Sequence, residues 1–172
     1  MGINKLEIMI KILCNIQIGF AVVRALCQKY DGDVILTSRD ESKGRKAIEE
    51  LQTEDLNPKY HVLDISQEES VVKFREFIKS SYKGIDVLVN NAGIAVPADI
   101  NNLFDESSSP DVSSFINDFK KTLAINYWAN KRACDILFPI LNPGARVVNM
   151  TSSVGFLGTL DTYTRNEVRV II

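Results

Sequence analysis

The amino-acid sequence predicts an α/β fold with a doubly wound parallel sheet, and two observations lead to that prediction. Short runs of β-branched and aliphatic residues alternate with longer segments whose apolar residues recur at helical spacing, as in parallel strands connected by helices. In addition, the apolar run 87–89, which follows Asp86, ends in the polar turn Asn90-Asn91-Ala92-Gly93. Ligands bind beyond the carboxyl ends of such strands, so the turn indicates a binding site. A turn that only reverses the chain is the alternative.

The first half of the chain is expected to supply three strands and two helices. The run 8–12 is apolar apart from Lys11 and predicts the first, central strand. The elements expected after it are a helix over 18–29, a strand over 33–38, a helix over 41–51 and a strand over 60–63.

The second half continues the alternation. Ser66 and Glu69 have the spacing of a capping box, in which each side chain bonds the other residue's backbone N–H, so they predict a helix start. A strand ending at Asn90 and a long helix over 113–141 are expected next. Asn142-Pro143-Gly144 is expected to end that helix, because proline and glycine do not continue it easily. The run 145–150 predicts the last strand.

Composition limits the partners that this chain is expected to have. Its 172 residues are 45% hydrophobic and 24% charged, which is typical of a single soluble domain over 1–172. The net charge of −2 supplies no basic field for nucleic acid or anionic membranes. Three cysteines without Cys-x-x-Cys spacing and one histidine argue against a metal site and predict reduced thiols. Polar residues such as Lys11 and Arg24 interrupt the apolar stretch 8–27, so no membrane span is predicted and the cytoplasm is the expected compartment.

The end of the second strand indicates which dinucleotide this fold would bind. A carboxylate there would bond the ribose 2′-hydroxyl of NAD, whereas an arginine accommodates the 2′-phosphate of NADP. Arg39 stands at this place after Ser38, and Lys43 supplies a second cation one helical turn further. NADPH is therefore the expected cofactor. The alternative is a solvated, positively charged helix start, and Asp40 weakens the local field.

The turn at 90–93 and the run Val147-Val148-Asn149-Met150-Thr151-Ser152-Ser153-Val154-Gly155 together resemble motifs of the short-chain dehydrogenase/reductase family. The resemblance covers 19–153 and, within the family, points to the carbonyl reductases. It implies a Rossmann-like sheet and the NADPH-dependent reduction of a ketone or aldehyde. In that reaction hydride passes from the nicotinamide to the carbonyl carbon of a small-molecule substrate.

The resemblance also implies two catalytic residues. Ser152, three residues after Asn149, would hydrogen-bond the substrate carbonyl oxygen and stabilise the charge that develops there. Ser153 is the alternative assignment. Asn126, midway along the long helix, would kink the helix and hold a water of the proton relay. Asparagine is a poor helix former, so its position in the helix interior requires an explanation. A solvent-facing asparagine is the alternative interpretation of Asn126.

The same resemblance implies further contacts to the cofactor. Asp64 would accept a hydrogen bond from the adenine amino group, and Ile65 would pack on the adenine ring; an aspartate that merely leads a helix is the alternative. Asn91-Ala92-Gly93 would line the cofactor after the fourth strand. Gly19 would be the last glycine of the turn that approaches the pyrophosphate.

The chain departs from the family pattern near both ends. Leu13 and Gln17 stand at the first two glycines of the family's Thr-Gly-x-x-x-Gly-x-Gly turn, and only Gly19 is retained. A Cβ that projects into the phosphate site is expected to lower the affinity for the cofactor. The family's Tyr-x-x-x-Lys pair is not found, since Tyr163 is followed four residues later by Glu167. An anion there would raise the pKa of a tyrosine.

Segments 1–17 and 156–172 lie outside the resemblance, which implies a truncated dinucleotide-binding domain whose sheet is incomplete on its C-terminal side. An open edge exposes unpaired backbone groups and apolar surface, so association through that edge is expected. A non-catalytic Rossmann-like fragment, which binds or interferes with a relative or arises from an aberrant transcript, is the alternative to a carbonyl reductase.

Overall fold

A five-stranded parallel sheet forms the centre of the fold. The computed structural model describes residues 8–13, 18–94 and 112–151. The strands lie in the order β3-β2-β1-β4-β5, and every pairing is parallel. They are β1 (Ile8–Leu13), β2 (Asp33–Ser38), β3 (Lys59–Val62), β4 (Ile85–Asn90) and β5 (Leu141–Asn149). The order reverses between β1 and β4, which confirms the doubly wound sheet predicted from the sequence.

Helices cover both faces of this sheet. They are α1 (Ile18–Lys29), α2 (Glu41–Gln52), α3 (Glu68–Ser81), α4 (Val112–Leu123) and α5 (Asn130–Leu137), with a π-helical segment (Ala124–Ala129) before α5 and a 3₁₀ turn (Phe138–Ile140) after it. Neighbouring β2 residues point to opposite faces. Leu36 therefore packs with Val23 of α1 and Leu51 of α2, whereas Ile35 packs with Phe74 of α3 and Leu137 of α5.

The predicted elements of the first half are confirmed within one residue. Helix α1 and strand β2 have the predicted bounds, and β1 occupies the centre of the sheet between β2 and β4. The pairing of β1 with β2 shifts by one residue between Met9 and Lys11, so the strand carries an irregularity next to its only charged residue.

The predicted capping box at the start of α3 is wrong. Helix α3 begins at Glu68, and Gln67 occupies the N-cap without a side-chain hydrogen bond. Ser66 does not cap the helix, because its amide and its hydroxyl both donate to Asp64 Oδ1, at 2.9 and 2.7 Å. The carboxylate of Asp64 thus closes a tight turn that places Ser66 outside the helix.

The single long helix predicted over 113–141 is also wrong in detail. A π-helical segment interrupts it, and its last turn ends at Ile140. Asn142-Pro143-Gly144 lies inside β5 rather than before it: the partners of Ile85 and Val87 are Leu141 and Arg146, so β5 bulges here. Gly144 has φ +82°, which glycine adopts without strain. Asn142 Nδ2 donates to Asp86 Oδ1 at 2.9 Å and attaches the bulge to β4.

Strand β5 forms one edge of the sheet in the part of the chain that the structure describes. Val147 and Val148 point to opposite faces, yet they are 37% and 42% exposed. Both faces of β5 therefore present apolar surface, in contrast to the buried residues of β2.

Candidate functional site

The carboxyl ends of the parallel strands bring the predicted cofactor-binding residues to one edge of the sheet. Arg39 follows β2, Asp64 and Ile65 follow β3, and Asn91-Ala92-Gly93 follows β4. Gly19 lies buried in the first turn of α1. The reversal of strand order falls between β1 and β4, which is where sheets of this class bind their ligands.

A cavity of about 630 Å³ lies at the carboxyl end of β2, between α1 and α2. Its lining combines an apolar part with a charged rim that includes Arg39 and Lys43. Asp40 caps α2, because its Oδ1 accepts a 3.0 Å hydrogen bond from the Lys43 amide. The Lys43 ammonium lies 3.9 Å from Asp40 Oδ2. The carboxylate of Asp40 therefore reduces the local positive field mainly at Lys43.

Close contact between α2 and the ends of β2 and β3 shapes one wall of this cavity. A Cβ at Gly44 would lie 2.2 Å from Tyr60 Cε2 and 2.5 Å from Ser38 Oγ, so only glycine fits. Ser38 Oγ donates to Asp40 O at 2.7 Å and lies 3.0 Å from the Tyr60 hydroxyl. The sequence analysis missed Gly44 and Tyr60; a glycine among strong helix formers in α2 is the signal that could have found them.

The turn after β3 is held from two sides. Asp64 uses Oδ1 for Ser66, and its backbone N–H donates to Ser70 Oγ at 3.0 Å. Arg132 of α5, which sequence reasoning missed, donates to Ile65 O at 3.2 Å and to Ser66 O at 2.8 Å. The side chain of Ile65 is only 3% exposed and belongs to the core beneath α3 and α5.

Asn126 lies in the π-helical segment and binds the end of the turn that follows β4. Its Oδ1 accepts from Ile94 N and its Nδ2 donates to Ile94 O, both at 2.8 Å. A Cβ on Gly93 would lie 3.4 Å from Asn126 Oδ1, so the turn passes close to this amide. Asn126 is exposed, yet its amide is bonded to this turn, and the helix is irregular where the resemblance implies a kink.

A second asparagine, Asn130, joins the same turn to the π-helical segment. Its Nδ2 lies 2.9 Å from Ala92 O, 3.1 Å from Ile125 O and 3.3 Å from Asn126 O. Its Oδ1 is buried without a hydrogen-bond partner. The sequence analysis missed Asn130, although two asparagines four residues apart in one helix mark a shared face.

Asn90 connects the ends of β4 and β5. It is 5% exposed, and its Nδ2 donates to Asn149 Oδ1 at 2.8 Å and lies 3.2 Å from Cys134 Sγ. Asn149 precedes the predicted catalytic Ser152 by three residues. Ser152 itself, its alternative Ser153 and Tyr163 lie outside the described residues.

The described residues bear on the expected metal and membrane partners. Within 8–13, 18–94 and 112–151, no group of three or more His, Cys, Asp or Glu side chains is arranged to hold a metal ion. None of the helices described in these ranges is long and apolar enough to cross a membrane.

Comparison with known proteins identifies the family. Residues 15–163 match the family model described as short chain dehydrogenase. Because this match covers most of the chain, the protein belongs to the short chain dehydrogenase family. The resemblance seen in the sequence motifs is thereby confirmed.

Individual relatives agree with this assignment. The chain is 43% identical over 141 residues to carbonyl reductase (NADPH) 3 of Mus musculus, covering 82% of this chain and 47% of that protein. It is 44% identical over 140 residues to carbonyl reductase (NADPH) 1 of Rattus norvegicus, covering 81% and 47%. Menthone neomenthol reductase from Mentha piperita superposes with a TM-score of 0.70 at 26% identity, covering 88% of this chain and 62% of that structure. The chain thus spans about half the length of the two mammalian relatives.

Proposed function

We propose that this chain is an NADPH-dependent oxidoreductase that reduces a ketone or aldehyde. The observation that carries the proposal is the position of Arg39. It follows β2 directly, lines the cavity beside α2, and makes no hydrogen bond or ion pair within the described part of the chain. A guanidinium that is not engaged elsewhere can bind a phosphate through two parallel hydrogen bonds. Both mammalian relatives carry NADPH in their names.

The residues at this edge fit the adenosine half of such a cofactor. Arg39 and Lys43 supply positive charge for the 2′-phosphate. Asp64 uses Oδ1 for its own turn, and Oδ2 is left as an acceptor for the adenine amino group. Ile65 would contact the ring through its backbone, because its side chain lies in the core and is only 3% exposed. Gly19 and Asn91-Ala92-Gly93 would line the rest of the cofactor, which supplies the hydride when bound.

The chain's own residues would act on the substrate oxygen and on the proton. The Ser152 hydroxyl would donate to the carbonyl oxygen and stabilise its developing negative charge. Both polar atoms of the Asn126 side chain are bonded to Ile94, so a relay water would bond Asn126 through its backbone carbonyl. That oxygen also lies 3.3 Å from Asn130 Nδ2, so Asn130 would help to position the water.

A non-catalytic Rossmann-like chain, which binds or interferes with a relative, is the second candidate. Leu13, the last residue of β1, stands at the first glycine of the family's pyrophosphate turn, and this favours it. The two candidates differ in a reduction assay, because only the first predicts consumption of NADPH with a carbonyl substrate.

Thermal unfolding of the 172-residue chain with NADPH or NADH tests cofactor binding. At 100 times the dissociation constant, NADPH is expected to raise the midpoint by about 5–10 °C. NADH should raise it less. Arg39→Ala should remove this difference, whereas Arg75→Ala on α3, which breaks an exposed pair with Glu76, should preserve it. An unchanged NADPH preference in Arg39→Ala would overturn the assignment.

The free cysteines agree with the expected cytoplasmic location. Cys27 and Cys134 form no disulfide in the described structure, and both are partly buried. Burial raises the pKa of the Cys27 thiol, which keeps it protonated and unreactive.

A further inference from the structure

Arg132 of α5 attaches that helix to the turn that follows β3. Its Nη2 atom donates to Ile65 O at 3.2 Å and to Ser66 O at 2.8 Å, across 67 and 66 residues of sequence. Ala133, the next residue of α5, is buried in one core cluster with Phe74 of α3. The helix that carries Arg132 is therefore fixed against the helix that the turn leads into.

The guanidinium of Arg132 has no other partner in the part of the chain that the structure describes. No carboxylate pairs with it there, and its Nε is buried without a hydrogen bond. Its charge also lies beside the start of α3, where the helix dipole disfavours a cation. Neither an ion pair nor the dipole explains a partly buried arginine at this place, whereas the two carbonyl oxygens of the turn do.

Ser66 connects these hydrogen bonds to the carboxylate of Asp64. The amide and the hydroxyl of Ser66 both donate to Asp64 Oδ1, at 2.9 and 2.7 Å, so the direction of the carboxylate follows the backbone of Ser66. Arg132 holds that backbone at its carbonyl oxygen. Asp64 Oδ2 makes no hydrogen bond within the described ranges and stays available as an acceptor. A carboxylate oxygen with a fixed direction distinguishes a base that presents a donor from one that presents an acceptor.

We propose that Arg132 is a positioning residue that orients Asp64 through Ser66 and thereby makes the site select adenine over hypoxanthine. The 6-amino group of adenine donates to Oδ2, whereas the 6-oxo group of hypoxanthine is an acceptor that a carboxylate repels. Arg132 itself does not contact the base. This inference rests on the proposed function for the adenosine ligand and adds a residue that determines base specificity.

Adenosine 2′,5′-bisphosphate is the probe, and inosine 2′,5′-bisphosphate, which differs only in the purine, is the reference. Neither contains the nicotinamide or a pyrophosphate. Isothermal titration of the whole chain would give the ratio of the two dissociation constants for the unchanged chain, for Arg132→Met and for Lys131→Met. Lys131 is the adjacent residue of α5 and forms an exposed pair with Asp135, so its change removes a positive charge from the same helix without altering the turn.

The unchanged chain is expected to bind the adenosine probe at least about tenfold more tightly than the inosine probe, the size of one hydrogen bond to a charged group. Arg132→Met should lower this ratio to about twofold or less, because Oδ2 no longer has one direction. Lys131→Met should leave the ratio unchanged. Arg132→Lys, whose ammonium can donate to both carbonyl oxygens, should restore most of it.

A double substitution separates positioning from a general loss of stability. In an Asp64→Ala background, Arg132→Met should not change the ratio further, because the carboxylate through which it acts is gone. Weaker folding alone would lower the affinity for both probes together and leave their ratio unchanged. Circular dichroism would confirm that each variant folds. Arg132→Gln, whose side chain is too short to reach both carbonyl oxygens, takes the place of Arg132→Met if the methionine variant does not fold.

The proposal is overturned if the unchanged chain does not bind the adenosine probe or does not distinguish the two probes. It is also overturned if Arg132→Met leaves the ratio unchanged, if Lys131→Met lowers it equally, or if Arg132→Met lowers it further in the Asp64→Ala background. A ratio that falls in the predicted order, in a chain that does not bind NADPH, would support the role of Arg132 and refute only the proposed function. Selective stabilisation by NADPH with an unchanged ratio in Arg132→Met would refute only the role of Arg132.

Discussion

Replacing Asn130 with aspartate tests whether this side chain holds the candidate site together. The variant keeps the shape of the residue but replaces Nδ2, which donates to Ala92 O at 2.9 Å and to Ile125 O at 3.1 Å. Loss of two hydrogen bonds costs about 2 kcal/mol. A carboxylate facing these carbonyl oxygens adds about 1–3 kcal/mol. The free energy of unfolding at pH 7 should therefore fall by about 3–5 kcal/mol.

The pH dependence of this loss has a defined sign. Burial and the facing carbonyl oxygens should raise the pKa of the introduced carboxyl in the folded state above its unfolded value of about 3.9. The folded variant then binds more protons than the unfolded chain between these two pKa values. The stability of the variant relative to the unchanged chain should recover as the pH falls through that window and decrease as the pH rises. Recovery is partial, because a protonated carboxyl donates only one hydrogen bond.

Urea unfolding followed by far-ultraviolet circular dichroism at pH 7 and pH 5 would measure both effects. Asn117→Asp is the matched control, since Asn117 is exposed on α4. Asn130→Ala should cost less than Asn130→Asp, because it also removes Oδ1, which is buried without a partner. Equal stabilities of Asn130→Asp and Asn117→Asp at pH 7 would refute this account of the site, as would a difference that does not change with pH.

Two further substitutions test the cavity wall and the sheet edge. Gly44→Ala should lower the free energy of unfolding by about 1–3 kcal/mol, because its Cβ would enter the space of Tyr60. Ser42→Ala, which is exposed in the same helix, is the control in the same urea titration, and equal stabilities would contradict the close contact. Val148→Lys should reduce association through β5, which sedimentation velocity would measure as a smaller shift of mass with concentration. Lys79→Val on α3, which makes the reverse exchange away from β5, is the control and should leave association unchanged. An unaltered mass distribution in Val148→Lys would exclude the β5 edge as the site of association.

The elements predicted correctly are those that local sequence determines. Helix α1 and strands β2 and β4 end where apolar periodicity stops, and these boundaries need no information from elsewhere in the chain. The same reasoning placed Arg39 and the turn at 90–93 at the carboxyl edge, because parallel strands share that edge.

The errors occur where a distant residue determines the local structure. Proline and glycine predicted the helix end within one residue, but β5 begins at Leu141 rather than at Ala145, because Asn142 bonds Asp86, 56 residues away. Asn130 bonds Ala92, 38 residues away, and the helical spacing of Asn126 and Asn130 marks a shared face without identifying that partner. The start of α3 is an exception, because the misleading contact is local: Ser66 donates to Asp64, two residues before it, and does not cap the helix.

The adenosine end of the candidate site and the end near the turn after β4 are held by contacts of different sequence separation. Nucleotide binding and carbonyl reduction therefore depend on different parts of the fold. The adenosine end depends on neighbours, since Asp40 caps its own helix and Ser38 pairs with Tyr60, 22 residues away. The other end depends on carboxamides that join distant segments: Asn90 bonds Asn149, 59 residues away, and Asn126 bonds Ile94, 32 residues away. Closing a longer segment costs more chain entropy, by up to about 1 kcal/mol between 22 and 59 residues, which favours earlier opening of the contacts between the more distant segments. Adenosine phosphates should therefore still bind under conditions in which the turn after β4 no longer holds its geometry and carbonyl reduction has stopped.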